Sequence, residues 1–436
     1  MHVKILLGAL LGIVAGVVAQ QAVGANNPSL KEMAAAYVDP VGKIFFYGIL
    51  MVVVPLLFSA LVVGVSELGD IKRVGRVGLF SLLMTVLLSG TAVGIGLAAV
   101  NIYNPANHIS DDQKSQLRQQ YSDVSQGEKT LATAEKKADD PPLFGFIPQN
   151  PFKEMNRALE GGLLPFMFFA LVFGVALASI DSDKAAPVKA FFEGIFAVSL
   201  RMIEFAMIFA PVGVFCLLFV AFSKLGLDLL GTMAGYVALV LVSLAIHQFV
   251  TYSLVLKFIA KRNPIEFFRQ IKSTMATAFA TSSSNVTLPV AIEDAEQRVG
   301  LPPTVSRFVL TIGATANQNG TALFEGITII FLATMFGVNL SLVQQLQVMG
   351  LAIVAGVGTA GVPAGSWPMI AVVLNSYLGV PAEAIGLAFG IDRILDMSRT
   401  VLNVSGDITI AACVTALDGK RSALDARRAG FEIADS

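Results

Sequence analysis

Charge is scarce in this chain. Of 436 residues only 14% are Asp, Glu, Lys or Arg, against about 25% in soluble domains. Histidine is limited to His2, His108 and His247, and cysteine to Cys216 and Cys413. Two cysteines inside apolar runs cannot build a disulfide framework and are expected to be small core residues. A nucleophilic serine needs a base within reach. Here two of the three histidines lie at the chain end and in a polar stretch, and no G-x-S-x-G elbow occurs, so no enzyme is expected. There is no phosphate-binding glycine loop and no basic nucleic-acid patch. The ~10-residue alternating segments of a β-barrel are also missing. A net charge of −1 identifies no partner.

What the chain has instead is apolar length. It is 55% hydrophobic with a mean hydropathy of +0.72. At about 20 residues per span, an all-α integral membrane protein with roughly eight to ten segments is expected. Candidate spans are Lys4–Val23, Val41–Val65, Val74–Asn101, Leu163–Ile180, Val188–Phe222 and Leu230–Ile259. The first looks like a signal peptide, but its apolar character continues to Val23 and every later segment is membranous, so it reads as a span. Basic clusters at Lys72, Arg73 and Arg76, at Lys257, Lys261, Arg262, Arg269 and Lys272, and at Lys420, Arg421, Arg427 and Arg428 fit one orientation. All three face the cytoplasm, with both termini inside and the polar stretch Asn104–Asp140 outside as a solvated loop.

Beyond residue 263 the pattern changes. Pro264–Ile292 is interrupted by Thr281-Ser282-Ser283-Ser284-Asn285, Val305–Phe336 by Asn317-Gln318-Asn319-Gly320-Thr321, and Leu346–Leu378 by the glycine-rich run 356–365. Irregular backbone at membrane depth is tolerated only where protein buries it or it lines a cavity. Three such breaks are the pattern of secondary transporters. The segment 384–417 then carries Asp392, Asp396, Arg399, Asn403 and Asp407 at intervals of four, three, four and four residues, which is one helical face. An intramembrane Asp or Arg costs about 2.5–3.5 kcal/mol on insertion scales and marks a substrate or ion path. Arg399 can pair with Asp396 or present a planar fork to an anion, and Asp396 can accept an ammonium. Asn403 and Asp407, with carbonyls from an unwound stretch such as Gly313–Asn317, offer hard oxygens to an ion the size of Na⁺. Glu325 follows Thr321 by four residues in an apolar run with no cationic neighbour in sequence, which makes it a candidate proton carrier. His247 is expected to be a hydrogen-bonded packing residue.

At these residues the chain resembles the dicarboxylate/amino acid:cation symporter family, the glutamate transporter homologues. The resemblance spans nearly the whole length. It rests on four ordered motifs: Ser282-Ser283-Ser284, Asn317-Gln318-Asn319-Gly320-Thr321, Ala360-Gly361-Val362-Pro363, and Asp392 to Asp407. It implies a homotrimer of protomers with eight transmembrane helices and two re-entrant helical hairpins, in the inner (plasma) membrane. It also implies an elevator mechanism, in which a transport domain moves against a scaffold. The implied division is 1–73 for scaffold helices 1–2, 74–103 for the third helix, of the transport domain, and 104–140 for an extracellular loop. Next come 141–225 for scaffold helices 4–5, 226–263 for helix 6, 264–420 for the transport core and 421–436 for a cytoplasmic tail.

By the same resemblance, Arg399 would hold the substrate side-chain carboxylate and Asp396 its amino group. Thr321, Thr400 and Asn403 would add polar contacts, and Ser283, Ser284 and Val362 would serve at the two hairpin tips. The implied substrate is an acidic amino acid, glutamate or aspartate, with a C4-dicarboxylate as the alternative, and no tightly bound cofactor. One implied sodium site uses Gly313, Asn317, Asn403 and Asp407, and a second uses carbonyls near Thr315 and Thr359. A third needs a carboxylate where this chain has Asn319 and keeps at most Ser89 of its third-span partners, so that site is expected to be absent. Glu325 matches the family's proton-carrying glutamate. Arg393 stands one helical turn from where some members carry an arginine at the position of Ser282, and would compensate charge there. H⁺ is therefore the expected driving ion, and the use of Na⁺ at the two retained sites stays open. An anion channel or a binding-only sensor would be the alternatives of another class.

Overall fold

The apolar runs become helices because only a helix satisfies its own backbone hydrogen bonds without water. The computed structural model describes residues 2–24, 27–69, 76–122, 147–157, 163–358, 366–381, 384–389 and 391–428, and every regular element among them is helical. In chain order the main helices are α1 (His2–Val23), α2 (Asp39–Leu50), α3 (Val53–Gly69), α4 (Arg76–Ile102), α5 (Asp111–Ser122), α6 (Leu163–Ser179) and α7 (Ser182–Ile246). After these come α8 (Pro264–Gln270), α9 (Lys272–Thr281), α10 (Ser284–Glu293), α11 (Pro303–Ala316) and α12 (Asn319–Met335). The chain continues with α13 (Leu342–Gly358), α14 (Ser366–Val372), α15 (Ile385–Phe389) and α16 (Asp392–Arg428). Among the described residues three helices, Val77–His108, Gly231–Ala260 and Asp392–Asp418, are long and apolar enough to cross a membrane unbroken. A fourth such span is bent, Ser182–Ala206 with Ile208–Ser223 at 55°.

That bend has a cause in sequence. Pro211 lies inside α7 and cannot donate to the carbonyl four residues earlier, at the break. The fifth and sixth expected spans are separate candidate crossings, Ser182–Ser223 and Gly231–Ala260, but α7 runs 65 residues through the stretch between them without leaving helix. The polar stretch after α4 also differs from a solvated loop at its start. Asn104, Ala106, Ile109 and Leu117 are buried, and the Asn104 amide donates to Thr334 Oγ1 at 3.0 Å. Its distal part, 123–146, lies outside the described residues.

The helices pack in two neighbourhoods that share α7. In the first, α1, α2 and α3 lie along α7, and α6 lies on α3. Gly8, Gly12 and Gly16 put one bare stripe of α1 onto α7. A Cβ on Gly8 would overlap the Pro211 carbonyl, one on Gly12 would lie 2.6 Å from the Phe215 oxygen, and one on Gly16 2.9 Å from the Phe219 oxygen. Small residues four apart let two backbones touch where lipid supplies no hydrophobic drive. Phe58 of α3 stacks with Phe166 and Phe169 of α6 and meets Phe192 of α7 edge-on. In the second neighbourhood α4, α9, α11 and α12 surround α16. All of α12 is buried, and α16 is buried without interruption from Leu402 to Val414. The apolar face of α16 therefore meets protein, not lipid. The molecule's exterior is apolar, with Leu10, Leu11, Leu83, Val86, Phe205, Ile208, Val242 and Phe249 all exposed. Cys216 and Cys413 are buried, as small core residues.

The glycine stripe predicts a position-specific cost. Gly12→Leu should destabilise the detergent-purified protein by about 2 kcal/mol or more through overpacking. Gly94→Ala, at a helical position with nothing within 4 Å of the added carbon, should be neutral or slightly stabilising in the same thermal denaturation assay.

Candidate functional site

The site is built where α12 begins beside the middle of α16. Two residues, Asn317 and Gln318, leave helical geometry between α11 and α12, with φ/ψ of −96°/84° and −112°/50°. Both are buried, so their backbone and side-chain groups need partners. The break is narrower than its sequence suggests. Gly313–Ala316 remain in α11, Asn319–Thr321 already belong to α12, and the Gly313 carbonyl accepts the Asn317 N–H at 2.8 Å. The close approach of α16 requires glycine on both sides. A Cβ on Gly313 would overlap Asp407 Oδ1, and one on Gly320 would sit 2.7 Å from the Arg399 carbonyl.

Asn403 joins the two halves. Its Oδ1 accepts the Gly320 N–H at 2.8 Å, capping an orphan donor of the α12 N-terminus. Its Nδ2 donates to Gln318 Oε1 at 2.7 Å and to Thr321 Oγ1 at 3.2 Å. One turn on, Asp407 is 2% exposed and its Oδ1 accepts from Asn317 Nδ2 at 2.8 Å. Asn317 Oδ1 is buried and meets no hydrogen-bond partner. A buried carboxylate and an unpartnered amide oxygen are hard donors of the kind a monovalent cation takes. Among the described residues no three His, Cys, Asp or Glu side chains converge on a transition-metal site. The Thr315 backbone lies in α11, next to this set; Thr359 and Val362 lie outside the described residues.

Towards the start of α16, Asp396 sits between two guanidiniums. Arg399 donates to its Oδ1 from Nε at 3.0 Å and from Nη2 at 2.7 Å. Arg393 Nη1 donates to its Oδ2 at 3.1 Å. Thr400 is buried beside them, but its hydroxyl donates to the Asp396 carbonyl. The Arg399 guanidinium lies 4.6 Å from the Phe324 ring centroid, and its Nη1 is buried without a partner. Phe324 meets Trp367 edge-on, and Trp367 Nε1 donates to Asp392 Oδ2 at 2.7 Å. On the other side is the tip of the α9–α10 hairpin, which packs on α16. Ser282 adopts a left-handed φ of 51°, a conformation that disfavours side chains, and Ser283 caps α10 at the Val286 N–H. The hydroxyls of Ser282 and Ser284 are buried with no hydrogen-bond partner. Asp294 braces the hairpin from its base: it accepts from Thr274 N and Oγ1 and pairs with Arg298 at 3.2 Å.

Glu325 is fully buried one turn beyond Thr321, and neither carboxyl oxygen has a hydrogen bond meeting standard geometry. Ser366 and Arg399 are the polar groups that act on it. Asn319 occupies a closed network instead. Ser89 donates to its Oδ1 at 2.7 Å, its Nδ2 donates to Tyr252 Oη at 3.3 Å, and that hydroxyl donates to the Leu402 carbonyl at 3.1 Å. Expected and observed environments part at His247. It is buried against the Tyr252 ring at 4.8 Å with neither nitrogen hydrogen-bonded, so it packs without the hydrogen bond expected of it. Gln318, Tyr252, Phe324 and Trp367 were not legible as site residues. Trp367 carried a signal, as the chain's one tryptophan, but nothing local tied it to Asp392.

The sodium:dicarboxylate symporter family model matches residues 1–417. The chain belongs to that family. It is similar to the proton/sodium-glutamate symport protein of Bacillus subtilis (strain 168), 33% identical over 416 residues, covering 95% of this chain and 92% of the relative. To the proton/glutamate-aspartate symporter of Escherichia coli (strain K12) it is 30% identical over 406 residues, 93% and 90% of the two chains. To the C4-dicarboxylate transport protein of Anaeromyxobacter sp. (strain K) it is 27% identical over 428 residues, 98% and 92%. As a member of a symporter family, the chain is a transporter and not an enzyme.

The Asn319 network makes a checkable prediction. Ser89→Ala and Tyr252→Phe should each cost about 1–3 kcal/mol, because each leaves a buried amide atom unsatisfied. In a double-mutant cycle followed by thermal unfolding the two should be non-additive by at least about 0.5 kcal/mol, since both act through one side chain.

Proposed function

We propose that this protein is a secondary active symporter of acidic amino acids, glutamate or aspartate, driven by H⁺ carried on Glu325. The observation that carries the reading is the buried Asp396–Arg399 pair facing unpartnered donors. Arg399 Nη1 and the hydroxyls of Ser282 and Ser284 are desolvated and have no acceptor among the described residues, a costly arrangement unless a ligand supplies one. Asp396 then serves an ammonium, and Thr321, Asn403 and Thr400 border the same space. The relatives named for glutamate and aspartate transport support this choice.

The ions follow from charge. Within the α12–α16 core four carboxylates, Glu325, Asp392, Asp396 and Asp407, face two guanidiniums. Burial of an excess negative charge is offset by protons or cations. Glu325 is placed to take a proton. Asp407 with Asn317 Oδ1, the Gly313 region and Asn403 is placed to take Na⁺ as a transported ion, and the second retained site would add carbonyls near Thr315 and Thr359. The third family sodium site is read as absent, because Asn319 and Ser89 satisfy one another and no carboxylate remains there. The protein is read as a homotrimer of eight-helix protomers with two re-entrant hairpins, in the inner (plasma) membrane with both termini cytoplasmic. The two packing neighbourhoods support a scaffold and a transport domain moving as an elevator.

A C4-dicarboxylate substrate is the second reading, favoured by the extra guanidinium of Arg393 and by the relative named for it. Proteoliposomes decide. Wild-type protein should accumulate aspartate or glutamate under an imposed pH gradient and bind aspartate more tightly than succinate; tighter succinate binding would reverse the substrate assignment. Glu325→Gln should abolish net uptake driven by the pH gradient while sparing exchange of internal for external substrate. Unchanged net uptake would remove Glu325 as the carrier. Asn319→Asp should make uptake more dependent on Na⁺ concentration if the third site is missing only its charge.

A further inference from the structure

We propose that Trp367 is a positioning residue for the substrate arginine. Its indole N–H holds Asp392 back from Arg399, so that Arg399 Nη1 is kept for a ligand's carboxylate. This rests on the reading of Arg399 as the group that binds a substrate carboxylate, and deepens it.

Two buried acids compete for two buried arginines. Asp392 and Asp396 stand against Arg393 and Arg399 on α16, and all four are at most 5% exposed. The set is neutral, so its members are able to satisfy one another and leave nothing for a ligand. Asp396 is already engaged, by Arg399 on Oδ1 and by Arg393 on Oδ2. Asp392 is engaged on one oxygen alone: its Oδ1 meets no hydrogen-bond partner, and neither does Arg399 Nη1. Of the charges around Asp392, Arg399 acts on it most strongly, ahead of Asp396 and Arg393. A carboxylate oxygen and a guanidinium N–H, both unpartnered in one desolvated cluster, attract each other strongly. Were they to meet, Asp392 would take the donor that the substrate needs.

Trp367 opposes that meeting from another helix. Its Nε1 donates to Asp392 Oδ2 at 2.7 Å, and the indole is completely buried. Hydrogen bonds to a charged group are among the stronger ones. The ring that carries the N–H is itself fixed. Phe389 lies 5.4 Å from it on one side, and Phe324 meets it edge-on at 5.7 Å on another. Phe324 in turn turns its face to the Arg399 guanidinium, 4.6 Å from the ring centroid. One side chain of α14 therefore acts on both members of the unwanted pair. It restrains the anion through its N–H and backs the cation through Phe324. A phenylalanine at this position would still pack on Phe324 and Phe389, but it would release Asp392.

L-Aspartate binding to the purified protein, measured by calorimetry, tests this. Trp367→Phe should weaken aspartate roughly tenfold or more, the scale of one hydrogen bond to a charged group. Adding Asp392→Asn to Trp367→Phe should tighten binding again by about threefold or more, because the competing charge is gone, whereas Asp392→Asn in the wild-type background should not tighten it. Trp367 is the chain's one tryptophan, so expression with benzothienylalanine in place of tryptophan changes this residue alone. It exchanges the indole N–H for sulfur in a ring of the same shape. That protein should lose as much affinity as Trp367→Phe, and it carries the comparison if Trp367→Phe shows no cooperative thermal transition. If the sulfur analogue binds aspartate like wild type, the N–H restrains nothing that matters to the site and the proposal is wrong. It is equally wrong if the double variant binds no tighter than Trp367→Phe, since Trp367 then only packs. Equal tightening by Asp392→Asn in both backgrounds would be a general effect of charge and would also overturn it. Wild-type protein that binds no aspartate would instead overturn the substrate reading beneath it, a failure visible before Trp367 is changed.

Discussion

Everything in the core of this protein answers to one electrostatic constraint. Among the described residues, Glu325, Asp392, Asp396 and Asp407 are buried in this core with only Arg393 and Arg399 to oppose them. In a soluble protein such an imbalance would be relieved by water. Here α16 is enclosed by other helices, and relief comes from hydrogen bonds, from the arginines and from species that enter and leave. Trp367 holds Asp392, two guanidiniums hold Asp396, the Asn317 amide holds Asp407, and Glu325 is left without a geometric partner. The groups least satisfied by the protein are those a substrate or ion would complete, which is how a site can bind and also release.

Packing makes this arrangement affordable. The break at Asn317–Gln318 frees backbone groups that would be ruinous against lipid, but Asn403 caps the new helix start and its amide satisfies Gln318 and Thr321. That contact exists because Gly313 and Gly320 carry no side chain where α16 passes. The same device, on a larger scale, lets α1 lie on α7 through Gly8, Gly12 and Gly16. Strain collects at the opposite wall, where Ser282 holds a left-handed conformation and two serine hydroxyls are buried without a partner among the described residues, while Asp294 clamps the hairpin from behind.

Particular residues show why some of this was readable beforehand. Membrane-scale hydropathy, the three breaks and the spacing of Asp392, Asp396, Arg399, Asn403 and Asp407 are local patterns, and each carries an energetic penalty large enough to demand a function. His247 has no such pattern. Whether a buried imidazole finds a hydrogen bond depends on neighbours from other helices, and here it finds the Tyr252 ring. The glycines of α1 were visible but carried no meaning until α7 was seen to lie on them.

The sequence by itself determined that this is a helical membrane protein with broken helices and a charged core helix, because hydropathy and i, i+4 spacing are properties of a single segment. It also singled out the residues proposed for the substrate and ion chemistry, because buried charge is expensive enough to be conspicuous. Only the tertiary structure decided how those charges are shared. Within α16 Asp396 pairs with both arginines, but the engagement of Asn403 across the break and the closed Ser89–Asn319–Tyr252 network are contacts between helices distant in sequence. Their geometry is set by how closely glycine allows the backbones to approach, which no single segment specifies.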